Sequence, residues 1–149
     1  MEELVSTGPA LETFFADYAR RTNDALSGNL DVEATAGALA GCFIGAGPTG
    51  VRCSPNDEEL RSVIPQGIEF YRSMGTVSMN VRATEITPLD DHHDMVRVFW
   101  TSDYKKDGGT VTIDFEVIYL LEDTSGTPKI FGYITGDEQK AYRDHGLIQ

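Results

Sequence analysis

The order of patterns along the chain predicts an α+β fold in a single domain. Two observations carry this. The first half holds amphipathic helical repeats, and from Thr76 onward the periodicity changes to that of strands separated by short turns. The longest strand-like run, Val111 to Leu121, puts Val111, Ile113, Phe115, Val117, Tyr119 and Leu121 on one side. Thr112, Asp114, Glu116, Ile118 and Leu120 fall on the other, because side chains alternate faces along a strand. The apolar stripe needs a cover, and the upstream helices can supply it.

The first helix is expected to begin near Pro9, with Thr7 or Gly8 at its cap, since a proline in the first turn gives up only an N–H that is unpaired there anyway. Leu11, Phe14, Phe15, Tyr18, Thr22, Ala25 and Leu26 recur at helical spacing, and Ser27-Gly28-Asn29 ends the run. Asp31 caps a shorter helix through roughly Leu39. Cys42-Phe43-Ile44 reads as a short strand or the floor of a loop. Gly45-Ala46-Gly47-Pro48-Thr49-Gly50 matches the G-x-G-x-x-G pattern of dinucleotide-binding turns. Such a turn must lead into a helix, whereas Val51 to Pro55 is extended, so a flexible rim loop is expected instead. Asn56 with Glu59 forms a capping-box pattern for a third helix. Its stripe of Leu60, Val63, Ile64, Gly67, Ile68, Tyr71 and Met74 should be buried. Pro65 should kink or break it, and Gly75 should stop it.

Four strands follow, Thr76 to Thr87, Met95 to Tyr104, Val111 to Leu121 and Lys129 to Thr135, as an antiparallel meander. Asp107-Gly108 marks one hairpin. Asp90-Asp91-His92-His93-Asp94 reads as a solvated turn rather than a metal site, because adjacent histidines in an extended turn point apart. Asp137 to His145 can form a last short helix.

The chain of 149 residues carries 24 Asp and Glu against 12 Lys and Arg, a formal charge of -12. Such a surface repels phosphate backbones and anionic headgroups, which argues against nucleic acid or a membrane as partner. The acidic N-terminus lacks the apolar core of a secretory signal, and a cytoplasmic location is expected. Cys42 and Cys53 are expected to be reduced and buried.

Helices first and a meander after, with Val96-Arg97-Val98-Phe99-Trp100 in the second strand and the ending Gly136-Asp137-Glu138-Gln139 with His145-Gly146-Leu147, resembles the nuclear transport factor 2-like superfamily and its SnoaL-like group. The resemblance spans nearly the whole chain. It implies a cone-shaped, curved antiparallel sheet with three helices packed on its concave face, a cystatin-like arrangement with a pocket between the layers. It also implies frequent homodimers built on the outer sheet face. No cofactor is expected. Members include ketosteroid isomerases, polyketide cyclases, dehydratases and proteins without catalysis, so fold alone does not assign an activity.

In the isomerases and cyclases a pocket carboxylate serves as base. The positions that correspond here are Val117 and Phe43-Ile44-Gly45-Ala46, which hold no acid, and Tyr18 lies about one turn from the usual helical tyrosine. The alternation above turns Asp114 and Glu116 outward, toward Arg82 and Arg97, with Phe99 and Ile118 on the same face as a dimer centre. The expected pocket lining is Phe14, Tyr18, Phe43, Tyr71, Trp100, Phe115, Val117 and Tyr133, with no metal ligands and no assigned catalytic residue. This favours binding of a small hydrophobic molecule. The alternatives are an enzyme of the isomerase, cyclase or dehydratase type using Glu116, Asp103 or Asp137, and a non-catalytic accessory dimer.

Overall fold

The computed structural model describes residues 2–149, with side chains from Gly8 onward. Helix α1 spans Glu2–Leu26, α2 Val32–Gly37, α3 Glu58–Ser73 and α4 Glu138–Asp144. The strands are β1 Leu39–Gly47, β2 Gly50–Pro55, β3 Thr76–Pro88, β4 His93–Lys106, β5 Gly109–Glu122 and β6 Lys129–Thr135. They form one sheet in the order β2-β1-β6-β5-β4-β3, antiparallel except where β1 runs parallel to β6. Bulges between Val81 and Ala83 and at Leu120/Leu121 interrupt the register, and such irregularities bend a sheet. The strands β3 to β6 are the expected meander, each matching its sequence pattern to within about two residues.

The core lies between α1 and the concave face. Leu11, Phe15, Ala19 and Leu26 of α1 pack with Val96, Val98 and Trp100 of β4, Val117, Tyr119 and Leu121 of β5, and Ile130 of β6. The alternation on β5 is as read from the sequence. Ile113, Val117, Tyr119 and Leu121 are buried, while Asp114 and Glu116 are exposed on the outer face. There Arg97 bonds Glu116 at 2.5 Å, Arg82 lies 3.6 Å from Asp114, and Thr101 donates to Asp114 at 2.7 Å. Exposed cross-strand pairs of this kind contribute roughly 0.2–1 kcal/mol each. Ser102, buried on β4, donates to the Tyr104 hydroxyl at 2.8 Å and closes a second, smaller core with Met74, Ile113 and Tyr142.

Several local expectations are corrected. The backbone is helical from Glu2, so Pro9 lies inside α1 rather than in its first turn, and Thr7 or Gly8 does not begin the helix. One missing hydrogen bond does not end a helix whose flanking turns are helical on both sides. The same holds at Pro65, where α3 continues unbroken. The second helix stops at Gly37, and Leu39 already belongs to β1.

The glycine-rich segment is not a flexible loop. It forms the end of β1, a tight turn and the start of β2, with Gly47 paired to Gly50. Its glycines make room: a Cβ on Gly45 would come within 2.8 Å of the Tyr133 hydroxyl. Of the two readings of Cys42-Phe43-Ile44 the strand holds, as part of the longer β1, and the extended stretch Val51 to Pro55 pairs with it as β2. Alternation along the hairpin turns Cys42 and Cys53 outward with Ile44, so both thiols are free and exposed rather than buried.

Asp57, not Asn56, caps α3, its carboxylate accepting from Leu60 N at 3.2 Å. Asn56 instead ties α2 to β1. Its amide donates to the carbonyls of Ala36, Leu39 and Ala40, and its oxygen accepts from Arg61 Nη1 at 2.8 Å. Arg61 in turn bonds Glu33 at 2.8 Å.

The turn before β4 is solvated at Asp90 to His92, but Asp94 is only 5 % exposed and its Oδ1 has no hydrogen-bond partner among the described residues. Burial raises its carboxyl above the ordinary value, and the charges of Asp123 and Asp90 add to the effect. The folded protein therefore holds this proton more tightly than the unfolded chain, and stability falls as pH rises from the ordinary carboxylate range through the raised value. Asp94→Asn is expected to stabilise the protein at neutral pH and to gain less in acid. Urea unfolding across that interval checks this, and a loss of stability at neutral pH would contradict it.

Candidate functional site

The cavity follows from what α3 does not do. Its apolar stripe forms as the spacing predicts, yet no residue of the helix is buried: Tyr71 packs partly against the core, and Met74, beyond the helix end, joins it. Leu60, Val63, Ile64, Gly67, Ile68 and Tyr71 face a cavity of about 450 Å³ instead. The opposite wall is the concave sheet face: Met79, Trp100, Phe115, Val117, Tyr119, Ile130 and Tyr133, with Phe43 from β1. Helix α1 closes one side with Tyr18, Arg21, Thr22 and Ala25.

Of the residues singled out by sequence, Tyr18, Phe43, Tyr71, Trp100, Phe115, Val117 and Tyr133 border this space together. Phe14 does not. It packs edge-on against Phe15, with ring centroids 5.1 Å apart, on the core side of α1. The helical period puts Tyr18 toward the cavity and Phe14 a turn earlier, beyond its reach.

The aromatic wall is ordered by ring contacts. Trp100 and Phe115 stack at 6.4 Å and 12°. Tyr18 lies 6.0 Å from Trp100 and 6.1 Å from Tyr119, and Phe43 stacks on Tyr133 at 6.3 Å. Burial raises the phenols of Tyr18, Tyr71, Tyr119 and Tyr133 above their ordinary value, so all four stay neutral near neutral pH. The Trp100 indole N–H is buried, with the Tyr119 hydroxyl near it but no hydrogen bond of ordinary geometry among the described residues. Unspent donors of this kind are costly, and a ligand acceptor would satisfy one.

The candidate acids fall elsewhere. Glu116 is held on the outer face by Arg97, and Asp103 accepts from Thr112 at 2.7 Å and Ser78 at 3.5 Å. Asp137 caps α4, accepting from Lys140 N at 2.9 Å. His145 uses Nδ1 on the Ala141 carbonyl at 2.8 Å. The acid on the cavity wall is Glu138, the first residue of α4. It makes no side-chain hydrogen bond or ion pair among the described residues, and burial alone lifts its carboxyl above the usual value. Sequence reading passes over it because an acid after an Asp cap has a sufficient explanation in the helix's first turn. Among the described residues no group of three or more His, Cys, Asp or Glu could hold a metal ion. No described helix is long and apolar enough to cross a membrane.

Gly67 is the gap in the cavity's roof. It sits in mid-helix with nothing within 4 Å of where a Cβ would be. Gly67→Ala is expected to stabilise the protein by roughly 0.5–1 kcal/mol through reduced chain entropy, measurable as a raised denaturant midpoint at unchanged slope.

A bent sheet carrying helices over an apolar cavity defines a cone-shaped α+β protein of the nuclear transport factor 2-like type. The family model described as NTF2-like protein (DUF6841) matches residues 8–138, and the chain belongs to that family. Solved structures agree on the fold. An NTF2-like protein with a cystatin-like fold from Novosphingobium aromaticivorans superposes with a TM-score of 0.69 at 12% identity, covering 98% of this chain and 91% of the other. A ketosteroid isomerase-like protein from Erwinia carotovora gives 0.60 at 18% identity, covering 91% and 95%. The β subunit of benzoate 1,2-dioxygenase from Burkholderia mallei gives 0.62 at 18% identity, covering 85% and 87%. Among curated proteins none matches the chain in sequence.

Proposed function

We propose that this protein binds a small, largely apolar molecule in the cavity beneath α3. One observation carries the reading: a helix with a complete apolar stripe rests that stripe on open space lined by aromatic rings. A volume of about 450 Å³ falls within the range of small-molecule sites. The hydroxyls of Tyr18, Tyr71, Tyr119 and Tyr133 and the indole of Trp100 supply the few polar groups such sites use for orientation. An open cavity also weighs against an accessory dimer with a filled core.

A second reading, an enzyme of the isomerase, cyclase or dehydratase type, is favoured by Glu138, a cavity carboxylate in a position other than those the superfamily's isomerases use. We further propose that the protein is a homodimer through its outer sheet face. Ile44, Val51 and Ile134 lie exposed on that face beside Ile118, flanked by the arginine–carboxylate pairs.

Native mass spectrometry of freshly purified protein, followed by denaturation, tests these readings together. The expected result is a dimer mass carrying a small molecule released on denaturation. Conversion of that molecule during incubation would favour the enzyme. A bare monomer that takes up no apolar compound would overturn both the pocket and the dimer.

A further inference from the structure

The cavity has an acid with nothing to do. Three acidic residues, Glu116, Asp137 and Glu138, border a smaller hollow of about 150 Å³ beside Phe115, where β5 and β6 meet α4. Asp137 is committed to its helix cap and Glu116 to Arg97. Glu138 alone has no side-chain partner among the described residues, and it alone of the three also borders the main cavity.

A partly buried carboxylate without a partner is unfavourable unless it takes a proton or meets a cation. The other titratable side chains of the cavity wall, apart from Arg21, are phenols: Tyr18 on α1, Tyr71 on α3, Tyr119 on β5 and Tyr133 on β6, with Tyr142 of α4 lining the smaller hollow. None of them is charged near neutral pH, and none hydrogen-bonds it. The cavity's one cation among its lining residues, Arg21, stands on α1 and forms no ion pair with Glu138.

We propose that the cavity's ligand is a hydrophobic amine, its ammonium group supplying the charge that Glu138 lacks and its apolar body lying against the aromatic wall. This rests on the pocket reading above and names the chemical class that the pocket takes. Two further observations agree with it. Ring faces of tyrosine, phenylalanine and tryptophan attract cations, and Tyr71, Trp100, Phe115 and Tyr133 line the same space as the acid. The chain's formal charge of -12 gives an approaching cation a favourable field and an anion an unfavourable one.

The test uses three probes of one shape: adamantan-1-amine, adamantan-1-ol and adamantane-1-carboxylate. Trp100 is the chain's single tryptophan and lies on the cavity wall, so its fluorescence reports occupancy directly. The amine is expected to bind at least about tenfold tighter than the alcohol, and the carboxylate weakest. Glu138→Gln should bring the amine to the level of the alcohol measured on the same variant. Glu12→Gln, an exposed substitution on α1 that removes the same charge, should preserve the preference. Thermal unfolding of each variant verifies that it is folded.

Equal binding of amine and alcohol, or tightest binding of the carboxylate, would overturn the amine assignment and leave the pocket standing. An amine preference that survives Glu138→Gln would overturn the role of Glu138. No response to any of the three probes would overturn the amine assignment together with the pocket reading.

Discussion

Asn56→Ala is expected to destabilise the protein by about 3 kcal/mol, the upper end for leaving buried polar groups unsatisfied. The residue ties together three pieces of chain, alongside the Arg61–Glu33 pair. Its amide serves carbonyls at the end of α2 and the start of β1, its oxygen receives Arg61 of α3, and its backbone N–H bonds Gly41 O at 2.9 Å. Alanine would strand those carbonyls and release Arg61, loosening the end of α3 that roofs the cavity. Asn56→Asp should be worse at neutral pH, because an ionised carboxylate would face carbonyl oxygens in place of an N–H donor. Chemical denaturation distinguishes the two. A change below about 0.5 kcal/mol, ordinary for a surface site, would contradict this role.

Gly75→Ala should cost at least about 3 kcal/mol and lower the melting temperature by about 10 °C. Gly75 links α3 to β3 at a φ of 87°, which disfavours any residue with a Cβ. The space is also closed. A Cβ would fall 2.3 Å from the Lys105 carbonyl oxygen, and Lys105 N donates to Gly75 O at 2.8 Å. Backbone cannot swing aside as a long side chain can, so relief requires opening the end of β4. Gly28, with a φ of 101° and no atom within 4 Å, should lose far less on the same change. Comparing the two separates the clash from the conformational cost. Similar losses at both sites would contradict the clash.

These two residues also mark what sequence can and cannot convey. Gly75 is legible as a helix stop, but its contact with Lys105 exists only once β3 and β4 are paired. Asn56 reads as a cap because its neighbours fit a capping box. Asp57 fits the same role one residue later, which freed Asn56 for the tertiary contacts. The outward turn of Glu116 and Asp114 was legible because a period of two admits only two registers, and the alternative would expose Phe115, Val117 and Tyr119. The length of β1 and its pairing with β2 were not, because Gly45, Ala46 and Gly47 were too small to carry a pattern. Their size answers to Tyr133 on a strand some 90 residues later in the chain.

The cavity shows the same limit. An apolar stripe on α3 announces that the helix covers something without saying whether side chains or empty space lie beneath. Glu138 was hidden for a related reason: its local position accounted for it fully, and only packing reveals that its carboxylate opens onto the cavity. It should also weaken the unliganded protein. Burial raises its carboxyl, so stability falls as pH rises through the raised value, and Glu138→Gln should stabilise the empty protein at neutral pH. Thermal unfolding of the variant across pH checks the sign. A destabilised variant at neutral pH would contradict it.

The most direct test of the central claim is to fill the cavity from its roof. Gly67→Phe would add a ring to the cavity-lining side of α3, where nothing lies within 4 Å of a Cβ. Trp100 fluorescence, titrated with adamantan-1-ol, should show saturable binding to the parent protein and none to the folded Gly67→Phe variant. Equal binding to both would mean that the molecule is taken up elsewhere, and the cavity beneath α3 would not be the site.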